Sequence, residues 1–584
     1  MEPDLTPQNK GVDEFRERLS HSDALPQLVS LGVISGIVAA LLIVLFRSLF
    51  EIPLQAILGD SEGFESLSLP LRFLLPFAGA IALGLLFNKV ESATRKVSVG
   101  HVLERLHNNN GALPFRNVLV QFTGGVVALL TGQSVGREGP CVHLGSGAAS
   151  LLGQWLRLPR NSLRTLIACG AAAAIAASFN TPMAGVIFAM EVILMEYSIA
   201  GFIPVIVASV LGAVISQLVF GSDINFAVAT ELSVDVAVVP YMAAAGIAFA
   251  IAAFAFTKIH MLFFSLHRYS LLMRFAVVGA VTGGVAVFVP EIMGTGYDTL
   301  SDALNGQLTL EILIIVALAK LGVTALSTGF GMFGGLIGPS LVIGGCLGGA
   351  MGVLGSDFMP AEISAEFYVL LGMVAMMGAV LNAPLAALVA TLELSHSPEM
   401  IFPSMLTVVV ACVTLKQVFR CDGIFTEQLR FHGHDILGDR GRGFLSRVGV
   451  ASVMNKSFRV CESKLSLDIV HSLLKQQPLW LVVRDGDELQ LLPTAELARW
   501  LESVDENAVD EQADEVESAL DFAELNLRYH MTAELDELAS LHEANVMLRS
   551  SGAEALLVLA PSSKGVKVVR GIITKQTLLT YYGM

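Results

Sequence analysis

Long apolar stretches separated by short polar breaks dominate residues 27–430 of the chain. A simple helical span of a bilayer needs about 20 apolar residues, and several of these stretches are clearly shorter. The pattern therefore predicts a polytopic helical membrane region in which several helices are tilted, broken or re-entrant. The clearest stretches are Leu28–Phe50, Leu71–Phe87, Gly201–Phe220, Tyr241–Phe256, Phe275–Val289 and Leu310–Val323.

After residue 430 the pattern becomes that of a soluble α/β region with two similar units. In the first unit, apolar positions at a helical period precede a strand at Leu479–Val483 and a turn at Asp485-Gly486-Asp487. The second unit repeats that order, with strands at Ala555–Leu559 and Val566–Ile573. Alternation of this kind between helical and extended periods predicts two compact units, each with the order helix, strand, turn, strand and helix.

The fold class expected is therefore a polytopic all-α membrane protein followed by a cytosolic α/β region. Charged residues within the first 26 positions argue against a removable signal peptide and favour cytoplasmic termini. The predicted organisation is an N-terminal cytoplasmic segment at 1–26, the membrane domain at 27–430, a linker at 431–449, the first α/β unit at 450–503, an acidic linker at 504–526 and the second unit at 527–584.

Composition and motifs restrict the function. Hydrophobic residues make up 54% of the chain and charged residues 15%, which is typical of an integral membrane protein. The net charge of −16 and the acidic tail argue against nucleic-acid binding. No Walker loop or His-Glu-x-x-His motif is present, and the six cysteines lack metal-binding spacing. We expect neither an enzyme nor a metal site.

The membrane region contains an internal repeat. Gly136-Arg137-Glu138-Gly139-Pro140 has a weaker counterpart in Gly335-Leu336-Ile337-Gly338-Pro339, and Asn180-Thr181-Pro182 is matched by Asn382-Ala383-Pro384. The paired prolines Pro140 and Pro339 lie 199 residues apart, and the paired asparagines lie 202 apart. Repeats of apolar segments broken by glycine and proline are typical of transporters and channels.

Glu138 is the candidate functional residue with the clearest physical rationale. An acid at membrane depth is costly and usually marks an ion pathway. The glycine-rich turn that precedes the predicted helix would leave backbone N–H groups and the positive end of a helix dipole directed at an anion. A structural alternative is that Glu138 caps its helix or pairs with Arg137. Glu191 and Glu393, each eleven residues after its asparagine, favour helix packing over transport.

Taken together, these motifs resemble the CLC family of chloride channels and proton/chloride exchangers, and the tail resembles a tandem pair of CBS domains. The resemblance implies two inverted pseudo-symmetric halves, a homodimer, and an anion path in each protomer. It also implies that Glu138 is the gating carboxylate. The anion-binding positions that it implies are Ser98, Gly136, Arg137, Gly139, Gly335, Leu336, Ile337, Gly338 and Phe425.

Three positions depart from the family pattern. The anion-loop serine falls on Val97, with Ser98 one residue late, and the tyrosine near the end of the membrane domain is Phe425. The inner glutamate of proton-coupled members is Val192, which cannot carry a proton. In the CBS pair, Glu496 and Thr577 occupy the positions of the ribose-binding acids, so adenine-nucleotide binding is doubtful and a structural, dimer-forming tail is favoured.

The sequence thus predicts a voltage- or pH-gated chloride channel in the plasma membrane. It requires no cofactor, and its partners are chloride or another small anion, the lipid bilayer and a second copy of the chain. Two alternatives remain open. One is a proton-coupled chloride antiporter, and the other is a secondary carrier for an organic or cationic substrate.

Overall fold

The computed structural model describes residues 15–20, 24–59, 62–197, 199–221, 238–356, 365–433, 445–486, 488–507, 520–522, 525, 527–561 and 567–582. The chain divides into two compact units. The membrane unit comprises Leu25–Leu156 and Leu163–Gly438, and the C-terminal unit comprises Asp439–Met584 together with Met1–Ala24 and Arg157–Ser162. The membrane unit extends slightly beyond the predicted range 27–430, and the assignment of Arg157–Ser162 to the other unit had no signal in the sequence.

The membrane unit is built from helices in two halves. The first half contains α1 (Leu25–Leu58), α2 (Leu69–Phe87), α3 (Ser98–Asn108), α4 (Phe115–Leu130), α5 (Glu138–Trp155), α6 (Arg160–Phe179), α7 (Pro182–Phe188) and α8 (Ile199–Phe220). The second contains α9 (Val239–Phe264), α10 (Leu271–Ala286), α11 (Tyr297–Leu304), α12 (Leu310–Gly329), α13 (Ile337–Gly355), α14 (Ala365–Leu381), α15 (Pro384–Ser395), α16 (Ile401–Val413) and α17 (Ile424–Phe431).

The helix lengths confirm the prediction of an irregular membrane region. Within the described residues, eight helices are long and apolar enough to cross a membrane, by length and composition. Several others are shorter, and α7 and α16 continue into the π-helical segments Ala189–Leu194 and Thr414–Val418. The predicted stretch Phe275–Val289 overruns its helix, because α10 ends at Ala286.

The repeated Asn-x-Pro motifs form the same helix-to-helix corner in both halves. Asn180 follows α6 and Asn382 follows α14, and both adopt left-handed backbone conformations, with φ of 60° and 54°. Asparagine tolerates this conformation better than most residues. Pro182 and Pro384 then begin the next helices, where a missing N–H costs nothing. The motif therefore ends one helix and starts the next.

Close glycine contacts hold the equivalent helix pairs together. A Cβ atom on Gly145 would lie 2.3 Å from the Gly170 carbonyl oxygen, and one on Gly344 would lie 2.1 Å from that of Gly372. The first contact joins α5 to α6 and the second joins α13 to α14. Both helix crossings therefore require a residue without a side chain, as in other closely packed membrane helices.

The C-terminal unit contains two repeats whose three-stranded sheets have the same topology. Each has a parallel strand pair followed by an antiparallel strand, in the sheets β1-β3-β4 and β6-β7-β8. The first repeat contains β1 (Phe458–Glu462), β2 (Lys464–Leu465), α18 (Leu467–Lys475), β3 (Trp480–Asp485), β4 (Glu488–Pro493) and α19 (Thr494–Asn507). After β5 (Leu520–Asp521), the second contains β6 (Thr532–Asp536), α20 (Leu541–Ser551), β7 (Ala555–Pro561), β8 (Lys567–Thr574) and α21 (Lys575–Tyr582).

The two repeats of the C-terminal unit pack against each other through apolar side chains. Val482 and Leu491 of the first sheet form one buried cluster with Leu557 and Ile572 of the second. The predicted strands at 479–483, 555–559 and 566–573 are confirmed to within two residues. Asp487 of the predicted turn and most of the acidic linker 504–526 lie outside the described residues.

The glycine contact between α13 and α14 gives a stability prediction. Gly344→Ala would place a methyl group against the Gly372 backbone, and overpacking of this kind costs about 1–3 kcal/mol. Gly322→Ala is the matched control, because no atom lies within 4 Å of a Cβ built there. Thermal melting of the detergent-solubilised protein should show a lower midpoint for Gly344→Ala than for Gly322→Ala. Equal midpoints would contradict the close crossing.

Candidate functional site

A backbone bridge joins the two halves at their glycine-rich motifs. The Gly136 N–H donates to the Gly335 carbonyl oxygen at 2.7 Å, and the Gly335 N–H donates to the Gly136 carbonyl oxygen at 2.6 Å. This reciprocal pair is an antiparallel β-bridge between residues almost two hundred positions apart. It holds the start of α5, at Glu138, beside the start of α13, at Ile337.

Missing side chains allow this close approach. A Cβ atom on Gly139 would lie 2.6 Å from the Gly335 Cα, and one on Gly335 would lie 2.4 Å from the Gly139 nitrogen. Contacts below 3.0 Å leave no room for a side chain without movement of the backbone. The backbone bridge therefore requires glycine at both of these positions.

The Glu138 carboxylate lies at the helix start of the other half. Its side chain is fully buried. One oxygen accepts a hydrogen bond from the Tyr297 hydroxyl at 2.5 Å, and the other accepts one from the Gly338 N–H at 3.1 Å. A Cβ atom on Gly338 would lie 2.9 Å from this second oxygen. The Glu138 carboxylate thus accepts a hydrogen bond at the N-terminus of α13, a location with the N–H donors and dipole that can bind an anion.

Tyr297, the first residue of α11, is held in place by a second acid. Glu62 accepts hydrogen bonds from the Gly296 and Tyr297 N–H groups, both at 2.8 Å, and from the Thr295 hydroxyl. On the same turn, the buried Lys320 ammonium donates to the carbonyl oxygens of Ile292 and Gly294. These contacts fix the turn, and hence the position of the phenol that reaches Glu138.

The Arg137 guanidinium is directed away from the carboxylate site. It lies 2.5 Å from Glu51 and donates to the Ser178 carbonyl oxygen, whereas its nearest approach to Glu138 is 3.7 Å. Arg47 also pairs with Glu51, at 2.9 Å. Glu51 is therefore the principal ion-pair partner of Arg137. The pairing of Arg137 with Glu138, which the sequence left as an alternative, is the longer of the two contacts.

A cavity of about 570 Å³ is lined by residues of the membrane unit, and we call it the vestibule. Its walls include Ser98, His101, Leu336, Phe425 and Gln428. The structure thus brings the two candidate anion ligands from α3 and α17 to one opening.

Ser98, the candidate that lies one residue after the family's serine position, has an unusual backbone conformation at the start of α3. Its backbone is left-handed, with φ of 68°, and its N–H donates to the Gln121 side-chain oxygen at 2.8 Å. The Ser98 hydroxyl lies 3.2 Å from the position of a Cβ built on Gly139. Val97 is the residue before α3 and has an extended backbone. The unusual conformation of Ser98 is what brings its hydroxyl to the motif.

The two later acids have structural roles, as the sequence analysis favours. Glu191 accepts hydrogen bonds from the Leu385 and Ala386 N–H groups at the start of α15. Glu393 accepts hydrogen bonds from the Met183 and Ala184 N–H groups at the start of α7. Each half thereby caps a helix of the other half. Next to Glu191, the Val192 side chain is buried and apolar.

In the C-terminal unit, the two candidate nucleotide-binding residues have local partners. Glu496 pairs with Arg499 at 3.3 Å, and the Thr577 hydroxyl lies 3.0 Å from that of Thr574.

Sequence reasoning missed Tyr297, Glu62 and Glu51. Tyr297 follows two glycines in Gly294-Thr295-Gly296, which is a signal for a tight turn but not for a contact with Glu138. Arg47 and Glu51 are spaced one helical turn apart near the end of an apolar run, and that pattern could have marked a buried ion pair.

Two helix starts from the two related halves thus meet at a buried carboxylate, an arrangement expected of membrane transport proteins built from an internal repeat. A family model described as "Voltage gated chloride channel" matches residues 78–416, more than half of the chain. The chain therefore belongs to the CLC family of anion transport proteins.

Individual relatives agree with this assignment. A ClcB-like chloride channel protein of Ralstonia nicotianae is 28% identical over 400 residues, which cover 66% of this chain and 93% of that protein. The H(+)/Cl(−) exchange transporter ClcA of Vibrio parahaemolyticus is 26% identical over 311 residues, which cover 51% of this chain and 66% of that protein.

Solved structures share the fold. A CLC-type fluoride/proton antiporter matches with a TM-score of 0.59 and 23% identity, over 69% of this chain and 97% of that one. A eukaryotic CLC transporter matches with a TM-score of 0.57 and 17% identity, over 97% of this chain and 99% of that one. The second match extends through the C-terminal unit.

The hydrogen bond from Tyr297 to Glu138 gives a prediction about gating. Tyr297→Phe keeps the ring but removes the O–H donor, and a hydrogen bond to a charged group contributes about 1.5–3 kcal/mol. The carboxylate should leave its site more readily, so anion efflux from proteoliposomes should rise by about tenfold where this movement limits the rate.

Tyr241→Phe is the matched control, because the Tyr241 hydroxyl donates to the Met351 carbonyl oxygen and not to Glu138. Efflux through this variant should equal that of the unmodified protein. Equal efflux through both variants would show that Tyr297 does not hold the gate.

Proposed function

We propose that this protein is a proton-coupled anion antiporter, with chloride as its principal anion and Glu138 as the gating and proton-carrying carboxylate. The observation that carries the proposal is the position of Glu138, whose carboxylate accepts a hydrogen bond from the Gly338 N–H at a helix start. The names of the ClcA relative and of the fluoride/proton antiporter support exchange over the passive channel that the sequence analysis favours.

The chemistry of exchange follows from competition at one site. An ionised carboxylate and a chloride ion are both anions that N–H groups at a helix start can bind. Protonation of Glu138 removes its charge and weakens its hold on the Gly338 N–H, so that chloride can enter. Release of chloride and loss of the proton then return the carboxylate to the site. One group thus links proton movement to anion movement.

A gated chloride channel is the second candidate. The observation that favours it is the buried valine at position 192, where proton-coupled members carry a glutamate. The organic-substrate carrier loses support, because the relatives described above are named for chloride or fluoride.

Anion preference depends on the Ser98 hydroxyl and the Phe425 ring. Ser98 supplies an O–H donor beside Gly139, whereas Phe425 supplies a steric boundary without a donor. We therefore expect selection among small anions by size and dehydration more than by side-chain hydrogen bonds.

The remaining features of the proposal follow the family resemblance. The protein is a homodimer in the plasma membrane, with cytoplasmic termini and one anion path in each protomer. The two C-terminal repeats are CBS domains that stabilise the dimer. Transport requires no cofactor, and the CBS pair is where adenine nucleotide would bind.

The deciding experiment measures chloride efflux and external pH together in proteoliposomes, with potassium and valinomycin to collapse the voltage. A chloride gradient should drive protons uphill through the unmodified protein. Glu138→Gln keeps the shape but cannot exchange a proton, so proton movement should fall below detection while chloride efflux continues. Glu311→Gln changes an exposed acid at the start of α12 and should behave as the unmodified protein.

Chloride efflux without uphill protons through the unmodified protein would establish the channel instead. Unchanged proton coupling in Glu138→Gln would remove the carboxylate from its proposed role.

A further inference from the structure

Two buried histidines of the membrane unit form a hydrogen-bonded pair outside the carboxylate site. His101 on α3 and His143 on α5 lie with the His101 Nδ1 2.9 Å from the His143 Nε2. The ring planes are inclined to each other by 27°, and the ring centroids are 5.2 Å apart. Burial of two imidazoles costs free energy that apolar side chains at these positions would not cost.

One end of the pair reaches the vestibule. His101 is 5% exposed and forms part of the vestibule wall. Glu104, one helical turn later on α3, lines the same cavity and pairs with Lys96. Arg105 and Lys96 are the basic side chains that act electrostatically on His101. Solvent in the vestibule can therefore exchange protons with His101.

The other end lies on the helix that begins with Glu138. His143 is fully buried and follows Glu138 by five residues, which is about 7.5 Å of rise along an α-helix. Within the described part of the chain, the His143 Nδ1 has no hydrogen-bond partner. An unpaired nitrogen in a fully buried ring costs free energy unless water reaches it.

We propose that His101 and His143 form a proton-transfer pair that links the vestibule to the helix carrying Glu138. This inference rests on the proposed proton-coupled function, and it assigns to the pair the inner proton path that Val192 cannot supply. Histidine suits this role because its two nitrogens can accept a proton on one side and release one on the other.

The transfer balances one proton in and one proton out. A proton from vestibule water binds the His101 Nε2, and the proton on the His101 Nδ1 moves across the 2.9 Å contact to the His143 Nε2. The proton on the His143 Nδ1 then leaves to a water molecule on the path to Glu138. Both rings end neutral in the opposite tautomer, and the starting tautomers return when the rings separate and exchange their protons with water.

The test compares His143→Gln and His101→Gln with His107→Gln in proteoliposomes of the full-length protein. Glutamine keeps a polar group that can hydrogen-bond the remaining histidine, but it does not relay protons. His107 lies later on α3, and its Nδ1 contacts the Leu103 carbonyl oxygen, so its replacement is the matched control. Chloride efflux and proton movement are recorded from the same vesicles, and their ratio does not depend on the fraction of active protein.

The proton-to-chloride ratio should fall at least about tenfold in His143→Gln and in His101→Gln, while chloride efflux stays within about threefold of the unmodified protein. His107→Gln should leave the ratio unchanged. An unchanged ratio in His143→Gln would overturn the proton-transfer pair but leave the antiporter intact. Absence of uphill protons in the unmodified protein would instead refute the antiporter, and with it the pair.

Discussion

The reciprocal hydrogen bonds between Gly136 and Gly335 are the constraint on which the site depends. They tie two helix starts from different halves to one point, and the missing side chains of Gly139 and Gly335 let the backbones meet. Glu138 reaches the Gly338 N–H only because of this arrangement. A substitution at the bridge would therefore act on the anion site and on the junction between the halves together.

The two halves also stabilise each other through exchanged acids. Glu191 and Glu393 each accept hydrogen bonds from the first N–H groups of a helix in the opposite half. Intramembrane acids are costly, and here both are used to satisfy backbone donors that lipid could not satisfy. Thus the same chemistry, a carboxylate at a helix start, holds the halves together at these two positions and closes the site at Glu138.

Sequence periodicity was sufficient to predict the elements and the repeat, because apolar segments and Asn-x-Pro corners are local signals. It also located Glu138, whose charge contrasts with its apolar surroundings. It could not locate Tyr297 or Glu62, since their contacts join a turn to positions far away in the chain. The family pattern assigns the anion-loop serine to Val97, and nothing in the sequence indicates that Ser98 has a left-handed backbone and a hydroxyl beside Gly139.

The most direct test of the account is the position of the bound anion. Crystals of the Glu138→Gln variant soaked in bromide would show the ion by anomalous scattering. The account predicts a bromide peak within hydrogen-bond distance of the Gly338 nitrogen, in the space that the carboxylate occupies in the unmodified protein. Bromide bound elsewhere, with that space empty or filled by the glutamine, would contradict competition between the carboxylate and the anion.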